Sequence, residues 1–329
     1  MKALALVLCF ALLSCGTSKH PVPPPATAVR SSTAVPWPAG LPVYDHVVIV
    51  VEENKSYEQI IGSAAAPCIN STLKAEGANL TQMYAEEHFS QGNYFWLFSG
   101  SNQNVGFFNR APEHPITASN LAQQLVRTQH SFKGYSESLP SIGWRGSRSG
   151  LYVRKHVPWA SFSNLPSGAT VVDSSHLRFE DFPADYDSLP TVAFVVPNLA
   201  HDMHNGSAPA SIKTGDSWLC DRLGGYYNWA KQHNSLLIVT FDENNGLRPG
   251  LTDPGDPSAV RKNRIATILA GAHIKPGDYA EGSGVTHVNL LRTLEAMYGL
   301  ERSGAQQRNA AKAGISDDFI ITDVFAGKP

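Results

Sequence analysis

Apolar positions in this chain cluster into short continuous runs rather than a strict alternation. Val47–Val51 is an unbroken β-branched run that passes directly into Glu52, Glu53 and Asn54, and Leu236–Phe241 does the same into Asp242, Glu243 and Asn244. Thr191–Asn198, stopped by Pro197, and Ile265–Ala270 predict two more buried strands, and Phe132–Tyr135 a shorter one. Between them Ala66–Gly77, Leu121–Thr128, Trp218–His233 and the amphipathic His287–Tyr298, closed by Gly299, read as helices. Tyr94–Phe98 is an apolar, helix-like segment that follows a polar turn. Continuous apolar strands separated by helices predict a single three-layer α/β/α domain with a mostly parallel sheet covered on both faces. The stretches 99–120, 136–190 and 244–262 are long and rich in Gly, Pro and Ser, the kind of loop that builds a site on such a scaffold.

A buried strand that ends in acids needs a reason. In open α/β sheets ligands bind beyond the carboxyl ends of the strands. Three predicted strands bring polar groups there: Glu52, Glu53 and Asn54 from the first, His201, Asp202 and His204 in "PNLAHDMHN" after the third, and Asp242, Glu243 and Asn244 from the fourth. Crowded carboxylates repel unless a cation or protons compensate them. A divalent metal is the simplest compensation, and oxygen donors favour Mg²⁺, Ca²⁺ or Mn²⁺ over a thiolate-type zinc site. The plain alternative is that each acid or amide caps the helix that follows, as Asn54 or Ser56 would ahead of Tyr57.

The segment "EEHFSQGNYFWLFSGSNQN" adds a hydroxyl. Ser90 lies in a polar turn before a helix-like run, where backbone N–H groups receive anions, and Asn93 supplies another donor. Ser99 and Ser101 are rival hydroxyls, and a simple Ser N-cap is the plain alternative. No G-x-S-x-G elbow surrounds any of the three, which disfavours an esterase triad.

Composition narrows the partners. The 26 basic and 28 acidic side chains leave a formal charge of −2, so no basic field exists to attract nucleic acid or an anionic membrane surface. The N-terminus is different in kind. "MKALALVLCFALLSCG" has one Lys, an apolar run too short to span a bilayer, and Ser14-Cys15-Gly16, which resembles a lipobox in which Cys15 becomes the lipidated N-terminus. An ordinary secretory signal is the alternative. Residues 16–41, with Pro21-Val22-Pro23-Pro24-Pro25, read as an extended tether, and 42–329 as the folded domain. These features place the mature protein outside the cytoplasm, touching a membrane only through its anchor. In that compartment the two cysteines of the domain, Cys68 and Cys220, can pair, with two buried free thiols as the alternative.

At this point the motifs carry a family resemblance. "HVVIVVEENKSYEQIIG" resembles the opening motif of the bacterial phosphoesterase family that includes acid phosphatases and phosphatidylcholine-type phospholipases C, and that is similar to alkaline phosphatases in fold. "HFSQGNYFWLFSGS" resembles its Ser-x-Pro-Asn-Tyr nucleophile segment, with Gly92 in place of Pro. "YVRKHVPW", "FVVPNLAHDMHNG", "GDSWL", "IVTFDENNG" and "THVNLLRTLEAMYGL" resemble later motifs in the same order, so the likeness spans about residues 44–300.

The resemblance implies roles. Glu53, Asn54, Asp242 and Glu243 would hold one divalent metal, with Ser90 as fifth ligand and nucleophile. Asn93, His156 and His204 would contact the phosphoryl oxygens or the leaving group, and Asp202 would orient His204. The implied protein is an extracytoplasmic, metal-dependent phosphomonoesterase of the acid phosphatase type acting on a phosphorylated small molecule. A phospholipase C or phosphodiesterase, or a non-catalytic surface-binding lipoprotein, are the other readings. Outside this set, Asp216 is expected to cap a helix starting near Trp218, and His287 to cap or pack its own helix.

Overall fold

The computed structural model describes residues 36–105, 112, 115–246 and 258–326. The predicted leader, Cys15 and residues 16–35 of the predicted tether lie outside that set, as do parts of the loops 99–120 and 244–262. At the centre is an eight-stranded sheet made of β1 (His46–Glu52), β2 (Ala78–Leu80), β3 (Phe132–Ser136), β4 (His176–Arg178), β5 (Val192–Val196), β6 (Ser235–Phe241), β7 (Thr267–Gly271) and β8 (Gly277–Tyr279). Its spatial order is β8-β2-β7-β6-β1-β5-β3-β4. The five strands from β6 to β4 run parallel. β7 is antiparallel to β6 and to β2, and β8 runs parallel to β2. The apolar run Ile265–Ala270 thus forms its strand as expected but in the reverse direction. An apolar run encodes burial and carries no information on direction.

The central strands β1, β5 and β6 are buried along nearly their whole length, and the helices that cover them explain why. α1 (Ser90–Ser99) packs against α4 (His287–Met297) and α2 (Leu121–Arg127), and α2 packs on β3. α3 (Ala210–Ala230) packs against β6 and β7 and against a short helix at Cys68–Lys74. Side chains at the end of β1 point alternately to these two layers. Glu52 lies within the field of Asp216 on α3, whereas Glu53 meets Ser90 and Tyr94 on α1.

Two corrections concern α3. It begins at Ala210, two turns before the expected start near Trp218. Asp216 therefore sits inside the helix, and its carboxylate accepts the Cys68 and Ile69 N–H groups, both at 2.9 Å, capping the neighbouring helix instead of its own. One turn further on, a disulfide joins Cys220 to Cys68 across a Cα separation of 6.0 Å. Asp216 and Cys220 thereby fasten α3 to the same short helix.

The chain enters this unit at the amino-terminal edge of the parallel strands. Trp37 Nε1 donates to the Leu300 carbonyl just past the end of α4 (2.7 Å), and the Asp45 N–H donates to Asn234 at the start of β6 (2.8 Å). Among the described residues no helix is long and apolar enough to cross a membrane.

Candidate active site

β1 and β6 pair in register from His46↔Ser235 to Glu52↔Phe241, so Glu53 and Asp242 leave the sheet side by side. The pairing continues into the turns: the Asp242 N–H donates to the Glu52 carbonyl (2.9 Å), and the Glu53 N–H to the Asp202 carbonyl (2.8 Å). The two acidic strand ends therefore meet, with the loop after β5 beside them.

Each side chain has an identifiable cause. Asn54 adopts a left-handed conformation, φ 44°, which Asn tolerates better than most residues. This turns its amide toward Glu243, whose Oε1 accepts Asn54 Nδ2 at 2.9 Å, while the Asn54 N–H donates to Asp242 Oδ1 at 2.9 Å. Ser90 is the first residue of α1, preceded by Phe89 at φ 90°. Its hydroxyl lies 2.9 Å from Glu53 Oε2 and 3.4 Å from Glu243 Oε1, and the residue is buried. Ser99 stands at the far end of the same helix and donates to the Phe95 carbonyl (3.0 Å), and Ser101 lies beyond it, so neither rival hydroxyl reaches this cluster.

The electrostatics are those of acids held out of water. Burial, and then the neighbouring carboxylates, push the Glu53 and Asp242 pKa values well above the usual carboxylate range; burial does the same to Asp202. Lys55 is the buried cation among them, donating to the carbonyls of Met203 (2.6 Å) and Asn54 (3.2 Å). Burial lowers its pKa against the pull of Asp202, Asp242, Glu53 and Glu52.

Among the buried oxygens here that have no hydrogen-bond partner are Glu53 Oε1, Asn54 Oδ1 and Asp242 Oδ2. Orphaned buried acceptors on two acids and an amide call for a cation or for protons. Among the described residues no three His, Cys, Asp or Glu side chains form a metal-holding group by themselves. The donor set at this edge is mixed, since it includes an amide and a hydroxyl, and all its donors are oxygen, which suits a hard divalent ion. Glu243 is the member least free to serve. Its Oε2 accepts His88 Nδ1 (2.6 Å) and the Phe89 N–H (3.0 Å), and its Oε1 is shared between Asn54 and Ser90.

The other expected site residues are placed as follows. Asn93 lies one turn after Ser90, and its side chain is bonded to the main chain of Glu87, donating to the carbonyl at 2.7 Å and accepting the N–H at 3.1 Å, so it braces the turn before Ser90. His156 is only 1% exposed, stacked on Tyr94 and 3.0 Å from Glu53 Oε1, so it backs the site from within. Burial lowers its pKa, and Lys155 lowers it further. Asp202 accepts the backbone N–H of His204 (2.9 Å) and not its ring. His204 itself lines the mouth of an open cleft of about 770 Å³, together with Asn54, Lys55, His88 and Glu243. Lys55 and His88 were missed in the sequence, although both stand inside the segments that carry the candidate residues. A cluster of buried acids needs a nearby cation, and that need was the available signal for Lys55.

Gly92 also gains a reason. A Cβ there would run into the Glu87 carboxylate, which accepts both its bonds from Asn102 Nδ2 at 3.1 Å. Glycine in a first helical turn is ordinarily improved by alanine. Here Gly92→Ala is expected to destabilise the protein by about 1 kcal/mol, because displacing Glu87 breaks its bonds to Asn102. A rise in the denaturation midpoint of that variant would show that Glu87 yields without cost.

Comparison with known proteins identifies the family. The chain is 43% identical over 266 residues to a phosphatidylinositol-3-phosphatase of Mycobacterium tuberculosis, covering 81% of each chain. It is 29% identical to a phosphate-repressible acid phosphatase of Penicillium chrysogenum, covering 92% of this chain and 71% of that one. Among solved structures, a protein of the alkaline phosphatase superfamily from Vibrio parahaemolyticus shares the fold at 14% identity, with a TM-score of 0.54 over 83% of this chain and 73% of that one. The model of the Phosphoesterase family matches residues 69–301. With a serine at a helix start facing two acidic strand ends, the chain belongs to the Phosphoesterase family and is a hydrolase of phosphate ester bonds.

Proposed function

We propose that the protein is an extracytoplasmic, metal-dependent phosphomonoesterase in which Ser90 is the nucleophile. The observation that carries this reading is the Ser90 hydroxyl at the start of α1, 2.9 Å from Glu53 Oε2 and 3.4 Å from Glu243 Oε1, at the two strand ends where Glu53, Asn54 and Asp242 each carry a buried oxygen without a hydrogen-bond partner. Glu53, Asn54, Asp242 and Ser90 would hold the ion, with Glu243 joining through Oε1. When bound, the ion would neutralise the carboxylates and lower the pKa of the serine hydroxyl. Ser90 Oγ attacks phosphorus in line, the bond to the leaving oxygen breaks, and a phosphoserine forms that water then hydrolyses. The first N–H groups of α1 receive charge on the phosphoryl oxygens. His204, an imidazole lining the cleft, donates a proton to the leaving oxygen.

The relative named for a phosphoinositide makes a phosphomonoester on an inositol headgroup the first substrate to test. A phospholipase C reading calls for an apolar rim beside the cleft. Among the described residues, the exposed pair Val171 and Val172 is held by Lys133 near the start of β3, at the opposite sheet edge, and Leu151 alone lies near the loop after β5. The test is a phosphate-release screen of the purified protein across divalent metals and pH, with monoesters and diesters in parallel. Release from diesters alone, or none at all, would overturn the proposal.

The leader pattern supports a lipid anchor at Cys15. Cys15→Ala is expected to move the protein from the membrane fraction to the soluble one, since an acyl anchor is the membrane attachment this pattern offers. A variant that still sediments with membranes would remove the anchor from the reading.

A further inference from the structure

Behind the site lies a buried ion pair that the reaction does not use directly. His287, the first residue of α4, is 1% exposed. Its Nδ1 lies 2.6 Å from Glu86 Oε2, and its Nε2 lies 2.8 Å from the carbonyl oxygen of Phe241. The other Glu86 oxygen accepts the Val288 N–H at 2.9 Å. A carbonyl oxygen only accepts, so Nε2 carries a hydrogen. The contact between Nδ1 and Oε2 also needs a hydrogen, because two lone pairs would otherwise face each other. Wherever that second proton rests, the pair holds one proton more than a neutral imidazole beside a carboxylate, and it is neutral overall.

The carbonyl held by His287 belongs to the peptide unit joining Phe241 to Asp242. The N–H of that unit donates to the Glu52 carbonyl. One peptide plane, the one immediately before Asp242, is thus gripped on both sides. We propose that Glu86 and His287 form a positioning dyad that fixes this peptide plane and so aims Asp242 and Glu243 at Ser90. The proposal rests on the assignment of those residues to the active site.

The groups facing the imidazole are Glu86 from the segment before α1 and Asp242 from the end of β6, with Glu87 next to Glu86. On α4 the nearest charges, Arg292 and Glu295, are paired with each other. Burial alone would pull the His287 pKa down. Glu86, the Phe241 carbonyl and Asp242 together outweigh it and raise the value above that of an ordinary histidine. A raised histidine contributes stability that is complete below its unfolded pKa of about 6.5 and is lost as pH rises through the higher folded value. Beyond that point the pair would carry a buried negative charge facing Asp242.

Glu86→Gln separates the proton from the geometry. A glutamine amide donates to a neutral His287 Nδ1 and its oxygen accepts the Val288 N–H, so all three hydrogen bonds survive without the extra proton. The lead of the wild type over Glu86→Gln in thermal unfolding temperature is expected to be largest near pH 5 and to close as pH rises. In kinetics, His287→Ala is expected to lower kcat about tenfold to a hundredfold with KM little changed, the signature of a displaced reacting group. Glu86→Gln should keep kcat within about threefold of wild type at alkaline pH, where the wild type has no proton advantage. A lead that stays constant across pH, or an unchanged kcat in His287→Ala, would overturn the dyad. The unfolding comparison needs no substrate, so failure of the dyad is distinguishable from failure of the phosphomonoesterase reading. It also stands if His287→Ala does not fold.

Discussion

Ser90→Ala is expected to fold normally and to lose turnover by about 10⁴-fold or more, the scale of loss when an enzyme's nucleophile is removed. Folding should survive because the acids beside the Ser90 hydroxyl have other partners: Glu243 keeps His88, Phe89 and Asn54, and Asp242 keeps the Asn54 N–H. Turnover should not, because the rival serine Ser99 is turned back onto Phe95 at the far end of α1. Wild-type enzyme quenched in acid during turnover should carry phosphate on the peptide that contains Ser90. Phosphate on Ser99 or Ser101 would relocate the nucleophile. Near-normal turnover in Ser90→Ala would mean direct attack by water, without a covalent intermediate.

The second large effect concerns Asp242 and Glu53. Asp242→Asn and Glu53→Ala should each abolish most of the activity and lower the content of bound divalent metal, since each removes an anionic donor from one shared set. The metal-free proteins should behave in the opposite way. Two buried carboxylates pushed up by burial and by neighbouring acids, Asp202 beside Glu53 and Glu53 beside Asp242, are a burden on the fold in the absence of a cation. Under chelation, Asp242→Asn is therefore expected to unfold a few degrees above the wild type, trading function for stability. Added Mg²⁺ or Mn²⁺ should raise the unfolding temperature of the wild type and leave that of the variant where it is. Equal metal content in the wild type and both variants would remove the shared site.

The parts of this architecture that were legible in the sequence share one property: their signal is local. Val47–Val51 and Leu236–Phe241 announce burial by composition alone, and the acids that follow announce a polar edge. Strand direction is not local, which is why the reversal of β7 was invisible. The three-residue strands β2, β4 and β8 are too short to show a pattern and exist because longer neighbours pair with them. Side-chain destinations are harder still. Asn93 follows Ser90 by one turn, yet its amide goes to Glu87. His156 looks like part of a surface basic run with Arg154 and Lys155, yet it is the one of the three that is fully buried. Glu86 and His287 are 201 positions apart, and their meeting depends on how α4 lies across the end of β6. Lys55 sits next to a recognised residue, but the carbonyl that holds it belongs to Met203, in another loop.

The point at which the chain enters the folded unit has a practical reach. Trp37 and Asp45 are fastened at the starting edge of the strands, while the cleft opens past their ends. The seven residues of β1 put about 20 Å between the two. A surface, a bead or a fluorescent reporter coupled ahead of residue 36 would therefore be joined on the side away from the cleft. Immobilised through its N-terminus, the enzyme should keep its substrate access, whereas coupling through the loop that carries His204 would block it.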